Sequence, residues 1–374
     1  MPLPFRLGAF YCAYFVHVGL FTAYFPLYLA GRGLSAVEIG WVLALPSIMR
    51  TFAPAGWGAV ADRTGALRAI VVSSCAALAS AFLVLPFVQS FAAVALVIGV
   101  SSLLSAGALP IVEAITLGAL AGQPGRYGPI RMWGSVGFVA AVLAGGAWLD
   151  AAPVTALPWA ILGFALASLA IALSLPGRTP RAHSGTEAWR VDRAALWLLA
   201  CGFCMAAAHG TLYAFFTLHL ERSGYRVTTI GVLWTLGVVA EIAVFVFLPQ
   251  LFRRFALSTI LAASFACAVV RFLLLAWLAE VLWLVVIAQL LHAATFGAFH
   301  AAAVAAVQRV FPQAAQARGQ TLFSSVAYGA GGAFGALAAG WLWTLGGPGL
   351  AFSLSALCGL AGLHFARSLR HAGV

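Results

Sequence analysis

Apolar runs of membrane-spanning length follow one another along the whole chain, separated by short polar turns. A helix that crosses a bilayer needs about 20 mostly apolar residues. Such runs lie at 8–30, 38–61, 67–88, 91–120, 129–149, 156–175, 194–220, 228–251, 258–278, 281–304, 319–344 and 348–367, so twelve spans are predicted. Residues 86–90 divide spans three and four, and Glu280 divides nine and ten. The longest polar stretch, LPGRTPRAHSGTEAWRVDR (175–193), is rich in Pro, Gly and charge, as a linker is. It separates an N-terminal six-helix bundle (1–175) from a C-terminal one (194–374), with a cytoplasmic linker over 176–193. The fold class expected is an all-α membrane protein of two pseudo-symmetric six-helix bundles.

Composition removes the soluble alternative. Only 8% of the 374 residues are charged and 63% are hydrophobic, with a mean hydropathy of +1.03. Soluble domains carry about 25% charged residues. The net charge of +11 does not mark a nucleic-acid binder, because the basic residues are scattered through short loops instead of forming one patch. No A-x-A-like cleavage site precedes the first long apolar run, so that run is read as a span and not as a signal peptide. Six cysteines (Cys12, Cys75, Cys201, Cys204, Cys267, Cys358) all fall inside apolar runs and read as small core residues. The C-x-x-C of Cys201 and Cys204 lacks the βαβ context of a redox motif.

All twenty basic residues are arginines, and they orient the chain. With both termini in the cytoplasm, fourteen arginines fall on inner segments and three (Arg32, Arg222, Arg226) on outer loops. That is a clear positive-inside bias. The other three, Arg50, Arg131 and Arg271, fall within spans and are expected to be buried.

The two halves are related. Shifted by 191 residues, YFPLYLAGRGLSAVEIG (24–40) lies over FFTLHLERSGYRVTTIG (215–231) without a gap. Leu27 meets Leu218, Gly33 meets Gly224, Gly40 meets Gly231, Arg50 meets Glu241 and Arg63 meets Arg254. Internal repeats in a twelve-span chain point to a transporter with its site between the halves, near mid-membrane.

Ionisable groups inside spans are functional candidates by default, because burying a charge costs about 3 kcal/mol on insertion scales. Glu113 lies about 12 Å above the turn GQPGRYGP (122–129), and Arg131 lies just beyond it. Antiparallel helices joined at that turn bring the two side chains within reach. Glu241 is the carboxylate within the spans of the second half. Burial raises the proton affinity of such a group and a nearby Arg271 lowers it, so Glu241 is one candidate proton carrier. His292 is the other, since imidazole titrates near neutrality. His209 and His300 are further candidates for the substrate site. His292 and His300 stand eight residues apart, about 12 Å along one helix, too far to share a metal ion. Counting Arg50, Arg131 and Arg271 against Glu113 and Glu241 leaves one surplus positive charge, which an anionic substrate would neutralise.

The loop GAVADRTGALR (58–68) has the pattern G-x-x-x-D-R-x-G-x-x-R on Gly58, Asp62, Arg63, Gly65 and Arg68. It resembles the loop signature of the major facilitator superfamily. Gly65 permits a tight turn, and Asp62 near a span end can pair with arginines or a helix N-terminus, making a polar lock for one gate. VEAITLGALAGQPGRYGPIRMWGSVGF (112–138) is similar to the span four to five region of the lactose-permease family. That resemblance implies substrate-binding roles for Glu113 and Arg131 and puts Phe138 where the family has a stacking Trp. GVLWTLGVVAE (231–241), LFRR (251–254), VVR (269–271) and QLLHAATFGAFH (289–300) resemble the 3-phenylpropionate permease group, as does YGPIRMWGSVGF (127–138). Arg271 and His292 correspond to a buried Arg and His of the lactose-permease family. That family's proton-carrying Glu and nearby Lys are Thr295 and Gln289 here, so its relay is not carried over whole. GSVG (134–137) and the GxxxG of Gly331 and Gly335 read as helix-packing surfaces.

The function expected is proton-coupled uptake of a small organic anion such as 3-phenylpropionate, by alternating access, in a bacterial cytoplasmic membrane. The carboxylate would bind among Arg50, Arg131 and Arg271. A sugar or nucleoside symporter is the alternative, and a drug or metabolite efflux carrier a more distant one. No cofactor is called for beyond the proton gradient; the partners are substrate, protons and lipid, and the acting form is a monomer. No nucleophile–base pair, metal cluster or phosphate loop at useful spacing suggests an enzyme.

Overall fold

The computed structural model describes residues 2–120, 126–177 and 191–371. The arginines at 178, 181 and 190, most of the predicted linker and residues 122–125 of the predicted turn lie outside the described residues. Among the described residues, eleven helices are long and apolar enough to cross a membrane. They are α1 (Leu3–Gly31), α2 (Ala36–Thr64), α3 (Leu67–Phe87), α4 (Phe91–Ala119), α5 (Tyr127–Leu149), α6 (Val154–Ala172), α7 (Arg193–Arg222), α8 (Val227–Arg254), α9 (Leu257–Trp277), α10 (Leu282–Val310) and α11 (Gln316–Arg370). The count differs from twelve at one place. The 55-residue α11 holds two predicted spans, and the backbone leaves helical geometry between them, at Gly346 (φ −155°) and Gly347 (φ 71°).

Local chemistry sets the helix ends. Asp192 caps α7 by accepting the Ala195 amide at 2.8 Å, and Ser90 caps α4 by accepting that of Ala93 at 3.2 Å. α1 and α7 end at Gly33 and Gly224, the paired positions of the repeat, with φ of 81° and 88°. Only glycine takes such left-handed values without strain. Gly65 does the same for the predicted loop, at φ 64°, with its amide on Ala61 O at 2.8 Å.

The chain forms two compact units. The first comprises the described residues of Met1–Ser35, Phe52–His183 and Val227–Gly231. In it α1 packs on α5 and α6, and α3 packs on α4 and α6. The first residues of α8 are tied in by Asp150, whose carboxylate accepts the amides of Val227 (3.0 Å) and Thr228 (3.3 Å) and the Thr228 hydroxyl (2.5 Å). The second comprises the described residues of Ala36–Thr51, Ser184–Arg226 and Val232–Val374. Here α11 packs on α7, on α9 and on the first part of α2.

Both units rest on close backbone approach. A Cβ on Gly137 of α5 would lie 2.3 Å from Cys12 O of α1, and one on Gly335 of α11 would lie 1.9 Å from Ala207 O of α7. Neither carbonyl can retreat without moving its helix. Gly137→Val and Gly335→Val are therefore each expected to cost at least about 1–3 kcal/mol through overpacking. The check is membrane-inserted yield and melting temperature, with Gly163→Val, whose Cβ meets nothing within 4 Å, as the control.

Candidate functional site

Within the spans, the described residues of each unit include a cluster of polar side chains. In the first unit α4 is interrupted at Ala106–Gly107, and its second segment (Ala108–Ala119) carries Glu113. Arg131 Nε on α5 lies 3.6 Å from Glu113 Oε1, as the sequence spacing predicts; the side chains keep 29% and 37% of their surface exposed. The guanidinium also lies over Phe15, 4.3 Å from the ring centroid, and over Tyr11 at 5.3 Å. Tyr11 in turn bonds Thr116 Oγ1 at 3.1 Å. Gly134 makes this possible, because a Cβ there would meet Arg131 Nη1 at 2.7 Å and the Phe15 ring at 3.0 Å. The rings on Arg131 thus come from α1. Phe138, the predicted stacking residue, is half-buried two turns further along α5, about 10 Å away. Phe15 and Tyr11 were not singled out by sequence, although an aromatic stripe along α1 (Tyr11, Tyr14, Phe15) marks them.

The second unit is the more elaborate. Arg271 on α9 is fully buried. Its Nη1 donates to Thr295 Oγ1 (2.9 Å) and to His209 Nε2 (3.2 Å), and its Nη2 donates to Gln289 Oε1 (3.1 Å). Gln289 passes the chain on to Leu233 O at 2.9 Å. A guanidinium can only donate, so His209 accepts at Nε2 and its Nδ1 proton lies on Met205 O at 2.9 Å. His209, expected from the sequence as a substrate-site candidate, is thus held between Arg271 and Met205 O as a neutral ring. Arg271 Nε is buried without a hydrogen-bond partner.

Beside this fork, His292 Nε2 lies 3.8 Å from Glu241 Oε2, the two side chains keeping 8% and 17% exposure. The group next to Glu241 is thus an imidazole, whereas sequence reading put Arg271 in that role. Gly297 leaves room for the carboxylate, since a Cβ there would meet Glu241 Cγ at 3.1 Å. His300 bonds the Tyr328 hydroxyl through Nδ1 at 2.6 Å. Tyr328 lies in the π-helical turn Ser325–Gly331, and His300 stands just after the π-helical turn Ala293–Ala298, a geometry frequent at functional sites.

The three arginines expected to be buried differ. Arg271 is buried, Arg131 half-buried and Arg50 exposed. Arg50 ends the first segment of α2, where the helix breaks before Phe52. A position halfway along an apolar run therefore did not mean burial. In the loop motif Gly65 makes its turn, whereas Asp62, Arg63 and Arg68 are exposed, and Asp62 forms no ion pair among the described residues. Gly58 is open, with nothing within 4 Å of an added Cβ.

Comparisons with known proteins agree with this architecture. The sequence model of the MFS_1 like family matches residues 5–354. A probable 3-phenylpropionic acid transporter of Escherichia coli (strain K12) is 31% identical over 366 residues, 91% of each chain. A maltose permease of Geobacillus stearothermophilus is 27% identical over 373 residues, covering 95% of this chain and 93% of that one. The solved structure of the nucleoside transporter NupG superposes with a TM-score of 0.83 at 18% identity, over 99% of both chains. A bacterial homolog of the human lysosomal transporter Spinster superposes at 0.67 and 17% identity, over 99% of this chain and 94% of that one. With its apolar helices and its intramembrane charge clusters, the chain belongs to the MFS_1 like family of the major facilitator superfamily: it is a multi-pass membrane transporter and not an enzyme.

Proposed function

We propose that this transporter couples proton entry to uptake of a small organic anion, of the class of 3-phenylpropionate and related aromatic carboxylates. It would act as a monomer in a bacterial cytoplasmic membrane, with both termini inside. The observation that carries this reading is the Glu241–His292 contact of 3.8 Å beside a buried arginine whose hydrogen-bond partners are neutral. Intramembrane charge in the second unit comes to Arg50 and Arg271 against Glu241, a surplus of one positive charge with His292 neutral. Protonating the Glu241–His292 pair raises the surplus to two. A carboxylate then enters favourably, and by linkage the bound carboxylate makes protonation easier to the same extent. The exposed Arg50 is the cation such a substrate reaches first. Arg271 supplies field from behind its neutral partners. In the first unit Glu113 and Arg131 cancel, so that cluster adds no charge preference.

The name of the relative at 31% identity, a probable 3-phenylpropionic acid transporter, supports the aromatic acid. A sugar is the second reading, favoured by the Glu113–Arg131 pair and by the maltose permease at 27% identity. Uptake of labelled 3-phenylpropionate into proteoliposomes separates the two. An inward proton gradient is expected to raise the intravesicular level well above the external one, with competition from other aryl carboxylates. Competition by neutral sugars alone would sink the anion reading.

A further inference from the structure

His292, Phe296 and His300 recur at intervals of four residues on α10, and their rings form a ladder. His292 and Phe296 have centroids 5.2 Å apart and planes 13° apart; Phe296 and His300 are 6.2 Å and 12° apart. In an α-helix four residues advance 400°, so side chains at this spacing drift by about 40° per step. The π-helical turns over Ala293–Ala298 are wider and take up that drift, which lets three rings stay nearly parallel. Tyr328 fixes the far ring through the 2.6 Å bond to His300 Nδ1, and Glu241 stands by the near one.

Phe296 is half-buried, yet both of its faces are turned toward imidazoles, and His209 stands at 5.9 Å and 59° to it. With both faces taken, the part of the ring left to meet a ligand is the rim away from His209. An aromatic rim carries partial positive charge and a face partial negative charge, so a rim takes the face of another ring in a T-shaped contact. We propose that the rim of Phe296, held between its two flanking imidazoles, forms the element that recognises an aromatic group on the substrate, by contact with that group's π-face. This rests on the proposed carriage of aromatic carboxylates and moves their ring specificity from Phe138 to Phe296. The ladder stands within one side chain of the Glu241–His292 pair, so a ring held there places its short carboxylate arm among the charges of the same unit.

The test inverts the ring's charge distribution while keeping its shape. Binding of 3-phenylpropionate and of its pentafluorophenyl analogue to the purified full-length transporter is compared by titration calorimetry. The neutral pair 3-phenylpropanol and its pentafluorophenyl analogue is measured alongside. A π-face contact predicts that each pentafluorophenyl compound binds about 3- to 10-fold more weakly, the span of one aromatic pair. In Phe296→Leu, checked for folding by its melting curve, that ratio should fall to near one. A wild-type ratio of one or less overturns the ladder, as does failure of both pairs to bind, or a ratio that survives in Phe296→Leu. The wild-type ratio decides even where the variant is unstable. If alcohols bind as tightly as acids with the ratio intact, the ladder stands and the anion reading falls.

Discussion

Glu241→Gln is expected to abolish accumulation of substrate against its gradient while leaving exchange of labelled for unlabelled substrate close to wild type. Each pH unit is worth 1.36 kcal/mol per proton, so a gradient of 2 units sustains about 100-fold accumulation at one proton per substrate. The variant should bring that ratio to about one. Glutamine keeps the size and hydrogen-bonding shape of a protonated carboxyl, so the site still meets an anion with its positive surplus intact. It has no proton to release, so the loaded form exchanges and the cycle no longer draws on the gradient. The neighbouring imidazole calls for a companion variant, His292→Gln. His292 is 3.8 Å from Glu241, and a proton shared by the pair could reside on either group. Proton-driven accumulation that survives in Glu241→Gln and disappears in His292→Gln would place the proton on the imidazole. The measurement is paired uptake and counterflow on the same proteoliposome preparation.

Arg271→Lys is expected to lose at least about 10-fold in uptake and to lower the melting temperature, although the charge is retained. The guanidinium satisfies three neutral acceptors from two nitrogens: His209 Nε2, Thr295 Oγ1 and Gln289 Oε1. These acceptors come from α7 and α10, and a lysine ammonium on α9 has neither the fork nor the reach to bond them all. Hydrogen bonds to charged donors are worth about 1.5–3 kcal/mol each, and a buried acceptor left without a donor adds about 1–3 kcal/mol. A loss of two bonds comes to about 3–6 kcal/mol, which corresponds to several degrees of melting temperature. His209 then loses what held its tautomer, and the ring ladder loses the neighbour that stands beside Phe296 at 5.9 Å. Wild-type melting and uptake in Arg271→Lys would mean that only the charge matters there, and that the fork is incidental.

What could be read from the chain depended on whether the relevant partners were close along it. Glu113 and Arg131 stand on helices that follow one another in the chain, and their 3.6 Å approach followed from counting residues. The glycines of the repeat were legible for the same reason: Gly33 and Gly224 each end a helix, and the backbone there has φ of 81° and 88°. Arg271 was legible as a charge inside a span, but not as a fork. Its acceptors stand 62, 24 and 18 residues away along the chain. Arg50 was misplaced because depth along a helix does not say which side of the helix faces the interior. Phe296 looked like any other apolar residue of α10, since a π-helical turn has no sequence signature that separates it from the surrounding α-helix.

By itself, then, the sequence determined the membrane-spanning helices, their internal repeat, the uneven distribution of arginines between alternate loops and the set of charges within the spans. Those follow from transfer free energies summed over about 20 residues, which depend on composition and hardly at all on neighbours. Only the tertiary structure decided which charge meets which group. In helices apolar on nearly every face, hydrophobic periodicity carries little information about orientation. The rotation of each helix is set instead by close backbone contacts, such as Gly137 on Cys12 O and Gly335 on Ala207 O. Those contacts turn Glu113 to Arg131, Glu241 to His292, and Arg271 into its ring of neutral acceptors.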